Sequence, residues 1–410
     1  MNSQRSKNGA ELNFLYLTND KYPPFRVDVS VLFGEEFSKK GHQISWIMQS
    51  EEPLQNNKTQ YWGNWKLYLG ATDEGTNFLS RMRKHLLGIR NDFRVIQVAK
   101  SDSFDFIQVK DKFFGALFGL WAAKSCKKPF YYWLSYPFPE ASLFSAKQNT
   151  ARYPFFYKLR GYLYGFLLYK IIARKADHVF VQSEQMKLDI AEKGIDPRKM
   201  TAVPMGFKPS TSPVSNVQIK PFQMVYLGTL LQTRKLDFLI RVLSIVKRSI
   251  PEATLIYVGP EELPGDLNIL QKEAERLGVE DSVCYTGNMK RDDAFKVVAE
   301  SAVCFSPFYP TPILNSTSPT KLVEYFSLCR PAVANDHPEQ RKVMAESGGG
   351  YCVEYNEEAF ADAAIKLINS PEKAKEMGKA GYNYAMKHRT YSVLADSVES
   401  KYHELLRQQQ

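Results

Sequence analysis

Short apolar runs, each followed by a turn and then a stretch of helical spacing, recur along this chain in two separate series. That alternation constrains the fold more than any other feature, because strand–turn–helix–strand order builds parallel sheets through right-handed crossovers. Residues 12–18 (LNFLYLT), 43–48, 104–109, 130–134, 178–182 and 200–203 read as buried strands, with edge strands around 66–69. Helices are expected at 29–40, 81–94, 112–124 and 183–193. The second series places strands at 224–227, 255–258, 282–285, 302–305, 332–334 and 350–353, with helices between them. Residues 208–221 (KPSTSPVSNVQIKP), rich in Pro, Ser and Thr, read as an interdomain linker.

The fold class expected is therefore α/β: two parallel, Rossmann-like domains at 11–207 and 222–388. A polar tail at 1–10 precedes them, and a last helix at 389–410 returns to the first domain. A length of 410 residues suits two domains. Two such domains in tandem imply a cleft, with ligands outside the carboxyl ends of the strands.

Charge divides the chain unevenly. Residues 1–210 carry 31 Lys/Arg and 19 Asp/Glu, whereas the other 200 carry 23 and 25. A basic half beside a near-neutral half suggests that one domain faces something anionic. The five cysteines form no CxxC pair and sit mostly in apolar runs, as expected in a reducing cytoplasm. The first ten residues lack the apolar core of a signal peptide, and no apolar run reaches the ~20 residues of a membrane span. The expectation is a cytoplasmic protein, peripheral at most on the inner face of the plasma membrane.

The segment 306–345 carries the chemistry. Ser318-Pro319-Thr320 reads as a helix start, with Ser as the N-cap and Pro at the first helical position. Free N–H groups of such a turn attract anions, and Lys321 adds a cation there. Glu324, one turn further, is suited to vicinal hydroxyls such as those of a ribose; an ordinary helix start with an exposed Glu fits the same spacing. Residues 225–241 (VYLGTLLQTRKLDFLIR) place Arg234 and Lys235 at another helix start. Two cations there oppose the helix dipole unless an anion lies between them.

These segments, together with ADHVFVQSEQ and GIDPRKMTAVPMGF, resemble the family-4 retaining glycosyltransferases of the GT-B fold, and the resemblance covers nearly the whole chain. It implies transfer of a sugar from a nucleotide-diphosphate sugar, without a metal or other cofactor, to a glycan or polyprenyl-diphosphate-linked acceptor in the synthesis of cell-surface polysaccharides or glycoconjugates. It implies that Lys235, with Arg234 beside it, grips the donor diphosphate and that Glu324 holds the ribose. Gly228, Thr229, Asn315, Ser316, Ser318, Thr320 and Lys321 complete the implied donor site. On the acceptor side it points to Arg26 in the Pro-rich loop, Asp111 at the end of FDFIQVKD, and Tyr136.

Departures from the family pattern are specific. Ser316 stands where the first Glu of the family's paired motif belongs, so sugar recognition falls to groups such as Asn315 and Ser316. Thr229 replaces the usual Arg, with Arg234 as a substitute cation, and residues 131–136 contain no His. No carboxylate cluster reads as a metal site; Asp102/Asp105 and Asp292/Asp293 are the nearest approaches.

Residues 152–175 hold six Lys/Arg, eight Tyr/Phe and no acid. Burial as a core helix pair, contact with an anionic membrane surface and contact with nucleic acid all fit that mixture. A dinucleotide-dependent oxidoreductase is disfavoured because no G-x-G-x-x-G follows the first strand, and a nucleic-acid-binding protein because no known motif is present. A GT-B epimerase or phosphorylase stays open as the alternative enzyme.

Overall fold

A computed structural model describes residues 10–73, 75, 77–148, 153–209 and 217–409. Most of the expected tail at 1–10, the middle of the expected linker at 208–221 and Arg152 of the basic–aromatic run lie outside the described residues. The chain divides into two compact units, Met1–Pro204 with Tyr391–Gln410, and Met205–Thr390.

The first unit comprises β1 (Asn13–Tyr22), β2 (Gln43–Ser50), β3 (Lys58–Trp62), β4 (Trp65–Gly70), α1 (Phe78–Ser101), β5 (Phe106–Lys110), α2 (Phe113–Cys126), β6 (Phe130–Leu134) and α3 (Phe138–Lys147). After these come α4 (Pro154–Phe166), α5 (Ala173–Lys175), β7 (His178–Val181), α6 (Glu184–Ala191) and β8 (Met200–Ala202). The sheet order is β3-β4-β2-β1-β5-β6-β7-β8, parallel except for the β3–β4 hairpin. Alternation along β1 sends Leu15 and Leu17 to one face, against Val95 and Ala116 of α1 and α2. Phe14 and Tyr16 go to the other face, against Phe33 and Phe37. Those two phenylalanines belong to Asp28–Phe37, where an α-helix is expected and the winding is instead π.

The sequence reading leaves α3 unassigned, although Pro139 occupies the first turn, where a proline without an N–H is tolerated. Gly161 of α4 packs on α3 so closely that a Cβ there would fall 2.6 Å from Leu143 Cγ.

The second unit comprises β9 (Lys220–Leu227), α7 (Asp237–Val246), β10 (Thr254–Val258), α8 (Asp266–Leu277), β11 (Val283–Tyr285), α9 (Arg291–Ala299), β12 (Ser301–Ser306) and α10 (Pro312–Asn315). It continues with α11 (Thr320–Ser327), β13 (Ala332–Asn335), α12 (Pro338–Ser347), β14 (Gly350–Val353), α13 (Glu357–Ile368) and α14 (Pro371–His388). All six strands are parallel, in the order β11-β10-β9-β12-β13-β14.

The last helix, α15 (Tyr391–Arg407), returns to the first unit. It buries Leu394, Val398 and Tyr402 against Phe14, Phe106 and Tyr131, and the Tyr402 hydroxyl donates to Gln108 Oε1. The Tyr402 and Tyr131 rings stack 5.8 Å apart.

Candidate active site

The site grows from two turns that touch. β9 runs into Gly228 (φ 139°), and β10 into Gly259 (φ 140°). A Cβ on Gly259 would lie 2.5 Å from the Gly228 carbonyl oxygen, so only glycine allows the two backbones this close. The Gly228 N–H donates to the Val258 carbonyl at 2.8 Å, and the Leu230 N–H to Pro260 at 2.8 Å. The loop from Gly228 toward α7 is thereby fixed before any side chain is considered.

Arg234 folds back over this turn. Its guanidinium donates to the Tyr226 hydroxyl at 3.2 Å and to the Thr229 carbonyl at 3.1 Å. Beside it stands Lys321, in the first turn of α11, with its ammonium 5.3 Å from the Tyr226 ring centre and 5.1 Å from that of Phe308. Burial, with Arg234 nearby, brings the Lys321 pKa down to about 7. Burial likewise holds the Glu324 carboxyl above its usual range, against the pull of Arg291 and Lys321. Among the described residues neither the Lys321 ammonium nor the Glu324 carboxylate takes a hydrogen bond or ion pair. One cation and one carboxylate thus stand unpaired beside the start of α11.

Two donor-site expectations are corrected. Lys235 is not the inward cation: it is exposed, adopts a left-handed conformation (φ 53°), and borders a small pocket with Gln232, Asp237 and Asp266. The chain must reverse at 235 to enter α7, which turns residue 234 inward and residue 235 out. Ser318 does not cap α11. The helix begins at Thr320 behind Pro319, with no capping side chain, and the Ser318 hydroxyl accepts from the Met205 N–H at 3.0 Å. The first-turn N–H groups are left without a side-chain cap.

Asn315 ends α10, and Ser316 is buried beside it with its hydroxyl 3.4 Å from the Pro312 carbonyl. His337 supports this loop: its Nε2 lies 2.8 Å from the Leu314 carbonyl, and its Nδ1 accepts from the Gln340 N–H. Burial lowers its pKa, consistent with a neutral ring that donates from Nε2. Asn335 clamps Phe308 through both its N–H and its carbonyl, at 2.6 and 2.9 Å. The sequence reading missed Tyr226, Phe308 and Arg291. Tyr226 was open to discovery, because it lies two residues before the Gly228 turn at a strand end.

In the first unit, the residues expected on the acceptor side split. Arg26 is not a free cation: it is held by Asp28 at 3.2 Å, with Asp20 at 3.9 Å. The buried Lys110 bridges Asp20 (2.7 Å), Asp28 (3.4 Å) and Asp111 (3.5 Å). Burial would lower the Lys110 pKa, but these carboxylates raise it. Asp111 (φ 56°) accepts from both the backbone N–H and the hydroxyl of Ser135, and burial raises its pKa. It also borders a cleft of about 630 Å³ lined by Lys112, Phe113, Arg160 and Tyr164. Tyr136 packs edge-on against Phe138, 5.3 Å away. Among the described residues no three of His, Cys, Asp or Glu gather as metal ligands.

Two parallel α/β units, the second with cations and a carboxylate at its strand ends, match the GT-B fold of solved glycosyltransferase structures. Residues 208–384 match the model for glycosyl transferases group 1, and residues 30–211 match the model for glycosyltransferase family 4. The chain belongs to the family-4 type of GT-B glycosyltransferases.

No curated protein matches the chain. Solved structures similar to it include HepE from Anabaena in complex with UDP, at 14% identity and TM-score 0.66, covering 96% of this chain and 100% of that one. Sucrose-phosphate synthase from Thermosynechococcus elongatus aligns at 14% identity and TM-score 0.70, covering 97% and 100%. A UDP-forming α,α-trehalose-phosphate synthase from Burkholderia vietnamiensis aligns at 13% identity and TM-score 0.69, covering 96% and 100%.

Proposed function

We propose that this protein is a retaining glycosyltransferase that moves a sugar from a nucleotide-diphosphate sugar to a glycan or lipid-linked acceptor, without a metal ion, in the synthesis of cell-surface polysaccharide or glycoconjugate. The observation that carries the reading is the unpaired Lys321 beside Arg234 at the uncapped start of α11, with unpaired Glu324 one turn on. A diphosphate fits the two cations and the free N–H groups, and a ribose fits the carboxylate. UDP is the nucleotide of first choice, since UDP is bound in the HepE structure.

In this reading the acceptor oxygen bonds to the anomeric carbon as the bond from that carbon to the diphosphate oxygen breaks. The acceptor proton passes to the departing oxygen on the same face. Arg234, Lys321 and the α11 N–H groups stabilise the negative charge that grows on the diphosphate, and one such donor is typically worth about 10²–10³ in rate. No protein carboxylate is needed as a nucleophile.

The test is a screen of nucleotide sugars against lipid-linked and soluble glycan acceptors, with and without EDTA, and with the product anomer assigned by NMR. Turnover that survives EDTA and keeps the donor's anomeric configuration supports the reading. An inverted product, or activity lost to EDTA and restored by magnesium, overturns the mechanism proposed.

A further inference from the structure

The 630 Å³ cleft of the first unit is rimmed by α1, through Lys84 and Gly88, and by α4, through Arg160 and Tyr164. Both rims turn apolar side chains outward. On α1, Leu79 (74% exposed), Met82, Leu86 and Ile89 recur every three or four residues and so form one stripe. On α4, Phe155 (73%), Phe156 (66%), Leu159, Tyr162 and Phe166 are exposed, and Gly161 is the buried residue. The burial reading of residues 152–175 therefore fails for α4 and holds only for the following turns, where Leu167, Leu168 and Ile172 are buried. An exposed apolar stripe along each rim marks an interaction surface.

Charge identifies the partner. Residues 77–91 contain four Lys/Arg and no acid; residues 141–176 contain seven Lys/Arg and no acid. Aromatic and aliphatic side chains interleaved with cations suit the boundary between lipid headgroups and acyl chains, and the carboxylates nearest them, Asp73 and Asp92, are already held by Arg83 and Lys112. A nucleic acid would be served by the cations and would leave this aliphatic stripe in water.

We infer that α1 and α4 form a docking face that lays the first unit on an anionic lipid bilayer, with the cleft between their rims open to that surface. Docking stands independently of the transferase reading. On that reading, the acceptor is a bilayer-borne lipid whose charged head enters the cleft beside Lys84 and Arg160, Lys112 there being paired with Asp92.

The full chain is floated with phosphatidylcholine vesicles, with and without phosphatidylglycerol. Binding is expected with phosphatidylglycerol at low salt, and a loss of at least about tenfold at high salt or on neutral vesicles. Phe155→Ser, Phe156→Ser and Leu159→Ser together should also lower binding at least about tenfold, because the three side chains are exposed and their loss spares the core. A circular dichroism melt of that variant checks its fold. Three results overturn the inference: no binding to anionic vesicles at low salt, equal binding of the folded triple variant, or a wild-type dimer that the triple variant makes monomeric. Turnover of a soluble nucleotide sugar reads the transferase proposal separately.

Discussion

The Lys321 ammonium rests 5.3 Å from the centre of the Tyr226 ring, and the hydroxyl of that same ring accepts from Arg234. One aromatic side chain thus holds two cations in place without neutralising either. A carboxylate in its position would pair with them and fill the seat of an anion. The ring faces attract the ammonium weakly enough for a phosphate to outcompete them.

That arrangement makes donor binding sensitive to pH. Lys321 alone has a pKa of about 7, lowered by burial and Arg234 and partly restored by Glu324. A bound diphosphate favours the charged form and raises that pKa, so binding takes up a proton once the solution is above about pH 7. Affinity for a nucleotide-diphosphate sugar is expected to be full below that point and to fall by up to about tenfold per pH unit above it. Lys321→Arg, which stays protonated, should flatten the profile. Titration calorimetry in buffers of different ionisation enthalpy measures the uptake; none at mildly alkaline pH would count against the assignment.

Arg234 and Lys235 are neighbours with opposite fates. Arg234→Ala is expected to lower kcat by about 10²–10³. Lys235→Gly should leave activity within about threefold and raise stability by about 1 kcal/mol, because glycine relieves the left-handed backbone. Steady-state kinetics and thermal melts of both variants decide between the two positions; the reverse ranking would reinstate Lys235 as the diphosphate contact.

Glu324→Gln should weaken donor binding by about 1.5–3 kcal/mol, the range for a hydrogen bond to a charged group. The loss should vanish when the donor lacks both ribose hydroxyls. Equal losses with ribose and dideoxyribose donors would assign Glu324 to some other contact.

The Tyr325 hydroxyl accepts from the Leu227 N–H at 2.9 Å and donates to the Phe305 carbonyl at 3.0 Å, tying the ends of β9 and β12 together. Tyr325→Phe leaves a buried donor and a buried acceptor unmet, which costs about 1–3 kcal/mol. Chemical denaturation reads this directly, and an unchanged midpoint would show that the pair finds other partners.

The second unit was legible in the sequence because its strands are short apolar runs bounded by glycine and polar turns, and each expected strand is found there. What escaped is a matter of single residues and tertiary partners. Adjacent cations look alike in one dimension, and only the backbone reversal at Lys235 turns Arg234 toward Lys321. Ser318-Pro319-Thr320 carries a helix-start pattern, yet the Met205 N–H takes the hydroxyl that would cap it. In residues 152–175 the apolar content argues for burial. The structure seats Gly161 against α3, stacks Tyr164 on the buried Phe113 and turns Phe155, Phe156, Tyr162 and Phe166 away from the core, which no count of hydrophobic residues reveals.

The return of α15 to the first unit has a consequence for how the chain is made. Tyr402 follows its hydrogen-bond partner Gln108 by 294 residues, and the whole of the second unit is encoded between them. On the ribosome, the aromatic face around Phe14, Phe106 and Tyr131 waits for α15 while the whole of the second unit is synthesised. The half of the molecule translated second is the first able to finish, and the half translated first is sealed only by a helix made after it.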